Sequence, residues 1–248
     1  MKKVRIDKIL IENGFADSLP KAKALVMSGV VLVNERRVEK SAETFLPDVK
    51  IRIKGDSPEN KYVGRGGLKL EKALQSFHIH LSGYVCLDIG ASTGGFTDCL
   101  LQNGVKRVVA VDVGTNQIDW RLRTDERVEV RENVNARNLK PEDFTEKFDL
   151  IVMDVSFISV KKILPALVPL LTKTGRIIVL IKPQFEVGKT EVGAGGVVRE
   201  MEKHARVVTQ ISLFAETCGL RKLGIIDSPI TGASGNKEFL ALYCPLGQ

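Results

Sequence analysis

The 248-residue chain is predicted to be an α/β protein: a mostly parallel seven-stranded sheet with helices on its faces, preceded by a small α+β domain. Three observations predict it. From residue 68 onward, short apolar runs alternate with helical patterns, as in parallel βαβ units. The run Tyr84-Val85-Cys86-Leu87-Asp88-Ile89-Gly90 passes through a glycine-rich turn into a helical stretch. Near the end, the runs Arg221–Ile226 and Lys237–Tyr243 flank a Pro- and Gly-containing loop, the pattern of an antiparallel closing hairpin. A chain of this length is expected to hold two domains, assigned to residues 1–60 and 68–248 with a linker at 61–67.

In the first domain, Ile6, Ile9 and Leu10 share one helical face between Arg5 and Asn13, and Ser18 to Met27 repeats the pattern with Ala22, Ala24, Leu25 and Val26. Gly14 separates the two helices. After Gly29, Val30 to Asn34 reads as a strand followed by a turn and Arg36-Arg37-Val38; Phe45 to Pro47 and Lys50 to Lys54 supply further strand material. Residues 1–62 carry 13 Lys/Arg against 9 Asp/Glu, so they hold +4 of the formal net charge of +7. That basic bias fits a polyanion partner.

The string Arg5-Ile6-Asp7, Gly14, Ser18, Lys21-Ala22 and Ser28-Gly29-Val30-Val31-Leu32-Val33-Asn34 resembles the S4 RNA-binding domain. The resemblance implies that Arg5, Lys8, Lys21, Lys23, Arg36 and Arg37 contact phosphates. The glycine-rich stretch Lys61 to Gly67 reads as an interdomain hinge. Arg65 within it is placed either to reach RNA or to be a linker charge and no more.

In the second domain, strands are expected at Val85–Ile89, Lys106–Val111, Val128–Val130, Leu150–Met153 and Ile177–Ile181. Helices are expected at Leu68–Leu74, Thr97–Gln102, around Gln117, at Lys161–Leu171 and at Glu200–Thr217. The turn Gly90-Ala91-Ser92-Thr93-Gly94-Gly95-Phe96 departs from the dinucleotide fingerprint, because Ser92 stands at the second glycine position. Asp112 follows the next strand, where a carboxylate can accept the hydroxyls of an adenosine ribose. The arrangement resembles the S-adenosylmethionine site of Rossmann-like methyltransferases. That resemblance assigns Asp88, Gly90, Ala91, Ser92, Thr93, Gly94, Gly95, Phe96 and Asp112 to the cofactor, with Asn133 and Asn135 near the adenine.

Asp154 and Lys182 each end an apolar run, at the strand ends where open α/β sheets bind ligands. The fourth strand ends in Asp154-Val155-Ser156-Phe157 rather than the Asn/Asp-Pro-Pro-aromatic run of amino-group methyltransferases. Cys244, close to the last residue, stands far from the strand ends where a thiolate nucleophile would be needed. A ribose hydroxyl, poorly acidic, gains from a neighbouring cation such as Lys182.

The segments Arg65 to Leu70, Asp88 to Thr97, Asp154 to Phe157 and Ile181-Lys182-Pro183-Gln184-Phe185-Glu186 together resemble the TlyA family. Its members, often labelled hemolysins, join an S4 domain to an FtsJ-like rRNA 2′-O-methyltransferase domain. The resemblance implies a catalytic tetrad of Lys69, Asp154, Lys182 and Glu238, S-adenosylmethionine as cofactor, and cytidine riboses of 16S or 23S rRNA in 30S or 50S subunits as acceptor. Two other readings stand beside it: a membrane-active hemolysin, and an inactive RNA-binding assembly factor.

The remaining features carry less. Phe185 to Arg199 reads as a mobile loop beside the site. His78-Ile79-His80 lacks partners at metal-ligand spacing, so no metal is expected. His204 is expected on an exposed helix face, and Trp120 in ordinary packing. Four scattered cysteines, no apolar leader at the start and no long apolar run point to a reduced, cytoplasmic setting.

Overall fold

The computed structural model describes residues 3–16, 18–27, 29–53, 61–232 and 234–247. Ser28, Lys54 and the rest of 55–60, which carried expectations above, lie outside the described residues, as do Met1 and Lys2. The chain divides into two compact units, Met1–Lys61 and Tyr62–Gln248.

The first unit begins with β1 (Val4–Arg5) running into α1 (Ile6–Glu12), followed by α2 (Leu19–Met27). Strands β2 (Val31–Val33), β3 (Arg36–Arg37), β4 (Thr44–Phe45) and β5 (Ile51–Ile53) complete it. β3-β2-β5 form one antiparallel sheet and β1-β4 a second pair. Ile6, Ile9, Leu10, Ala22, Val26, Val31, Val33 and Val38 make its core. Ala24, expected on the buried face of α2, is exposed. The buried pair Ala22 and Val26 is spaced i, i+4, and Ala24 falls on the opposite side of the turn. Asn34 and Glu35 both have positive φ, 49° and 63°, as the tight two-residue turns of hairpins require.

The second unit opens with α3 (Gly66–Ser76), β6 (Val85–Ile89), α4 (Gly95–Gln102), β7 (Arg107–Val111), α5 (Trp120–Arg123) and β8 (Val128–Arg131). It continues through β9 (Phe148–Met153), α6 (Leu164–Leu167), β10 (Leu171–Ile181), α7 (Pro183–Glu186), α8 (Met201–Thr217), β11 (Leu220–Asp227) and β12 (Phe239–Pro245). The sheet order is β11-β12-β10-β9-β6-β7-β8. β10, β9, β6, β7 and β8 are parallel, while β12 inserts antiparallel between β10 and β11.

Alternate side chains along β6 face opposite cores. Val85, Leu87 and Ile89 join the cluster under α6 and α8; Cys86 joins the one under α3 and α4. After β8 the chain returns to place β9 against β6, so the strand order reverses between Ile89 and Met153. Such a reversal opens a crevice at the carboxyl ends of the strands.

Three expected elements differ. The helix expected around Gln117 is instead the short α5, which starts at Trp120 with Asp119 as its cap. The helix expected over Lys161–Leu171 is broken into a 3-10 turn at Val160–Lys162, α6, and a second 3-10 turn at Val168–Leu170. Pro165 and Pro169 supply no N–H for a continuous helix. The stretch 61–67, expected to be a hinge, is instead largely packed onto the second unit. Tyr62 is buried, Val63 N–H donates to Asp98 Oδ2 at 2.8 Å, and Gly66 and Gly67 form the first turn of α3. A Cβ on Gly67 would sit 2.3 Å from the Tyr62 ring, so glycine is what lets the ring pack there.

Candidate active site

The site grows from the end of β6. Gly90 has φ +81°, and a Cβ there would lie 2.3 Å from the Asp154 carbonyl oxygen. Only glycine meets both demands. Asp154 N–H in turn donates to Ile89 O at 2.9 Å, so the ends of β6 and β9 are held together where the strand order reverses. Asp112, just past β7, accepts from Ser92 N–H at 2.8 Å and Gly114 N–H at 2.7 Å. Its carboxylate thus sets the shape of the glycine turn and of the loop after β7.

Two adjoining clefts meet at this turn, and Gly90, Ser92 and Asp154 line both. The larger, about 460 Å³, is bounded also by Asp112, Val113, Asn135, Arg137 and the run from Val155 to Ile158. The smaller, about 150 Å³, is bounded by Arg65, Gly66, Ala91, Thr93, Gly95 and Phe96. Of the residues assigned to the cofactor, three stand elsewhere. Asp88 is fully buried and accepts from the Thr97 hydroxyl at 2.7 Å; burial raises its carboxyl to about 7. It supports the turn from beneath and touches no cleft. Gly94 is buried against Ile118 and Leu122. Asn133 accepts from Thr115 Oγ1 at 2.6 Å and lines a neighbouring hollow instead.

The four residues of the expected tetrad form two ion pairs. Lys69, on α3, donates to Glu238 Oε2 at 2.6 Å, with both side chains buried. Lys182, just past β10, lies 2.5 Å from Asp154 Oδ1 and donates to Ser156 Oγ at 3.0 Å. Sheet register explains the convergence: Ile181 pairs with Phe239, which puts Lys182 and Glu238 side by side at the ends of β10 and β12. Gly66, one turn before Lys69, is near enough to Asp154 that a Cβ would be 4.0 Å from Oδ2. The arrangement can hold a cation against a carboxylate at the mouth of a cleft, where a hydroxyl would be activated.

Other expected positions differ. His204 is buried, and its Nε2 lies 2.9 Å from Val198 O; the loop before α8 covers the helix face expected to be exposed. Trp120 is 72% exposed, because Ile118 and Leu122 on either side take the buried positions. The segment after Glu186 is tied down: Asn236 accepts from Val198 N–H and donates to Gly196 O, and Arg206 pairs with Glu191. No group of His, Cys, Asp and Glu among the described residues could hold a metal ion.

Sequence reading gave no role to Ser156, Arg137 or Glu186. Glu186 accepts from Ser159 Oγ at 2.6 Å and Val160 N–H at 2.8 Å, joining the loop after β9 to α7; burial raises its carboxyl. Its place in the quoted run 181–186 was the one available signal.

In the first unit, Lys8, Lys21, Lys23, Arg36 and Arg37 are exposed. The Arg37 guanidinium lies against Gly29. Arg5 commits Nε and Nη2 to the buried Asp7, at 3.1 and 2.6 Å, so it anchors the start of α1 as well as carrying charge at the surface.

Comparison with known proteins gives a consistent result. Residues 62–243 match the family of FtsJ-like methyltransferases and residues 4–50 match the S4 domain. The 16S/23S rRNA (cytidine-2′-O)-methyltransferase TlyA of Mycobacterium tuberculosis is 43% identical over 96% of this chain and 88% of its own length. Hemolysin A of Brachyspira hyodysenteriae is 40% identical over 97% of this chain and 99% of its own. A solved structure of a candidate hemolysin from Streptococcus thermophilus superposes with a TM-score of 0.76 at 43% identity, covering all of this chain and 90% of that one.

Proposed function

Because the chain belongs to the FtsJ-like methyltransferase family, in the S4-containing TlyA group, we propose that it transfers a methyl group from S-adenosylmethionine to the 2′-hydroxyl of a cytidine ribose. The proposed acceptor is 16S or 23S rRNA within 30S or 50S subunits of the cytoplasm. The observation that carries the reading is the Lys182–Asp154 pair at 2.5 Å, with Asp154 lining the same cleft as the glycine turn.

The residues present fit the cofactor. The cleft has the volume of a small-molecule site, Gly90 permits close backbone approach, and Asp112 retains unused lone pairs toward ribose hydroxyls beyond the two N–H bonds it accepts. Ser92, Thr93 and Asn135 would hold its polar edges. When bound, S-adenosylmethionine supplies an electrophilic methyl on a sulfonium.

The protein's own part is to position and polarise the acceptor. Lys182 sets a cation, or once neutral a base, beside the ribose oxygen, and Asp154 orients it. Lys69 and Glu238, buried and paired with each other, help to position the ribose. Most of the acceleration then comes from holding acceptor and methyl in line. The exposed cations of the first unit hold the RNA through its phosphates.

The test is transfer of labelled methyl to unmodified 30S and 50S subunits, with nucleoside mapping of the product. Label recovered as a 2′-O-methylcytidine is the expected result; label on a base, or none on any subunit or free rRNA, overturns the assignment.

A further inference from the structure

We propose that Ser156 is a positioning residue for this chemistry, acting through Lys182; the proposal rests on the methyltransferase reading above. Ser156 follows β9 in the loop that lines the larger cleft between Val155 and Phe157. It is exposed, so nothing in the core depends on it. Its Oγ accepts from Lys182 Nζ at 3.0 Å, while Asp154 Oδ1 lies 2.5 Å from the same nitrogen.

The geometry of a tetrahedral nitrogen gives this second contact its meaning. The contact with Asp154 is an ion pair without hydrogen-bond geometry, since Oδ1 accepts no hydrogen bond, so by itself it leaves the amine free to turn about the Cε–Nζ bond. The directed bond to Ser156 and the Cε bond fix two of the four directions of a tetrahedral nitrogen, and the other two are then determined. Those two carry the remaining ammonium protons or, in the neutral amine, a proton and the lone pair that takes the acceptor's proton. The Ser156 hydroxyl proton has no acceptor among the described residues. The carboxylate therefore supplies charge, and the serine supplies aim. Ser156 also holds the amine against the loop that lines the cleft, against the alternative of turning toward the Phe185 ring, 6.0 Å from Nζ.

The test uses the full chain in three forms, wild type, Ser156→Ala and Ser156→Thr, with Lys182→Ala as the control on the underlying reading. Ser156→Ala is expected to lower kcat about tenfold or more, the scale of a lost hydrogen bond to a charged group. KM for S-adenosylmethionine, subunit binding and melting temperature stay as in wild type. Without any substrate, the Lys182 ammonium NMR signal loses its protection from proton exchange, and Ser156→Thr restores both signal and rate. Wild-type kcat and an unchanged Lys182 ammonium signal in Ser156→Ala, with Lys182→Ala inactive, overturn the proposal and leave the methyltransferase reading standing. Full activity in Lys182→Ala overturns both.

Discussion

Lys182 and Asp88 illustrate two uses of a charged group in one site. Lys182 pairs with Asp154, which lines the cleft, and replacing it by alanine is expected to lower methyl transfer by about 10²- to 10³-fold, the range for removing one stabilising group at a reacting centre. Cofactor binding, followed by calorimetry, is expected to survive. Asp88 faces inward, and its consequence is thermodynamic. Burial raises its folded-state value to about 7 from the ordinary carboxylate range, so the folded state holds the proton more tightly than the unfolded state. The stability this contributes is complete below about pH 4 and is lost as pH rises through 7. Thermal unfolding between pH 4 and 8 is expected to show this slope in wild type and to lose it in Asp88→Asn. The sequence marked Asp88 as part of the cofactor turn, since its position at the end of β6 was plain. That its side chain points under the turn follows from strand alternation and from Thr97, nine residues on, a pairing no local pattern signals.

At the scale of elements, the β6 turn and the start of α1 carry the sharpest expectations. Gly90→Ala would combine a positive φ with a carbonyl 2.3 Å away. It is expected to pull β9 from β6, cost about 2–4 kcal/mol by denaturant unfolding and abolish cofactor binding. Arg5→Ala would leave the buried Asp7 without its guanidinium. Arg5 holds that carboxyl below its usual range, so the pair contributes stability above the ordinary carboxylate value that is lost as pH falls through the lowered one. With Arg5 44% exposed at its side chain, a small loss of stability at neutral pH is expected, read from unfolding of the first unit. Strands and long helices were legible because their apolar periods are strong: β6, β7, β9 and α8 fall within a residue or two of expectation. The region 160–171 was not, because its apolar spacing looks helical while Pro165 and Pro169 divide it. His204 and the segment before it were misread for a related reason, since the cover over α8 comes from Val198 and Asn236, up to 38 residues apart.

Across the whole molecule, the reading joins a basic RNA-binding unit to a catalytic one. Replacing Arg36 and Arg37 together by glutamate is expected to weaken subunit binding at least tenfold and to flatten its dependence on salt, as loss of phosphate contacts does. Cofactor affinity is expected to stay unchanged, because those cations belong to the first unit. No helix among the described residues is long and apolar enough to cross a membrane, so the hemolysin name borne by some relatives finds no support in a spanning helix. The two-part organisation was legible in the sequence because the residue pattern changes around residues 61–67, whereas Lys69, Asp154, Lys182 and Glu238 were joined into one set by resemblance. The pairing of Lys69 with Glu238 across 169 residues was not legible, since it depends on β12 inserting beside β10.

The most direct test of the account is site-resolved mapping of ribose methylation on unmodified ribosomal subunits treated with wild-type protein or with Lys182→Met. One 2′-O-methylated cytidine is expected with wild type, and its absence with the variant while cofactor and subunit binding persist. The same ribose methylated at an undiminished rate by Lys182→Met would contradict it.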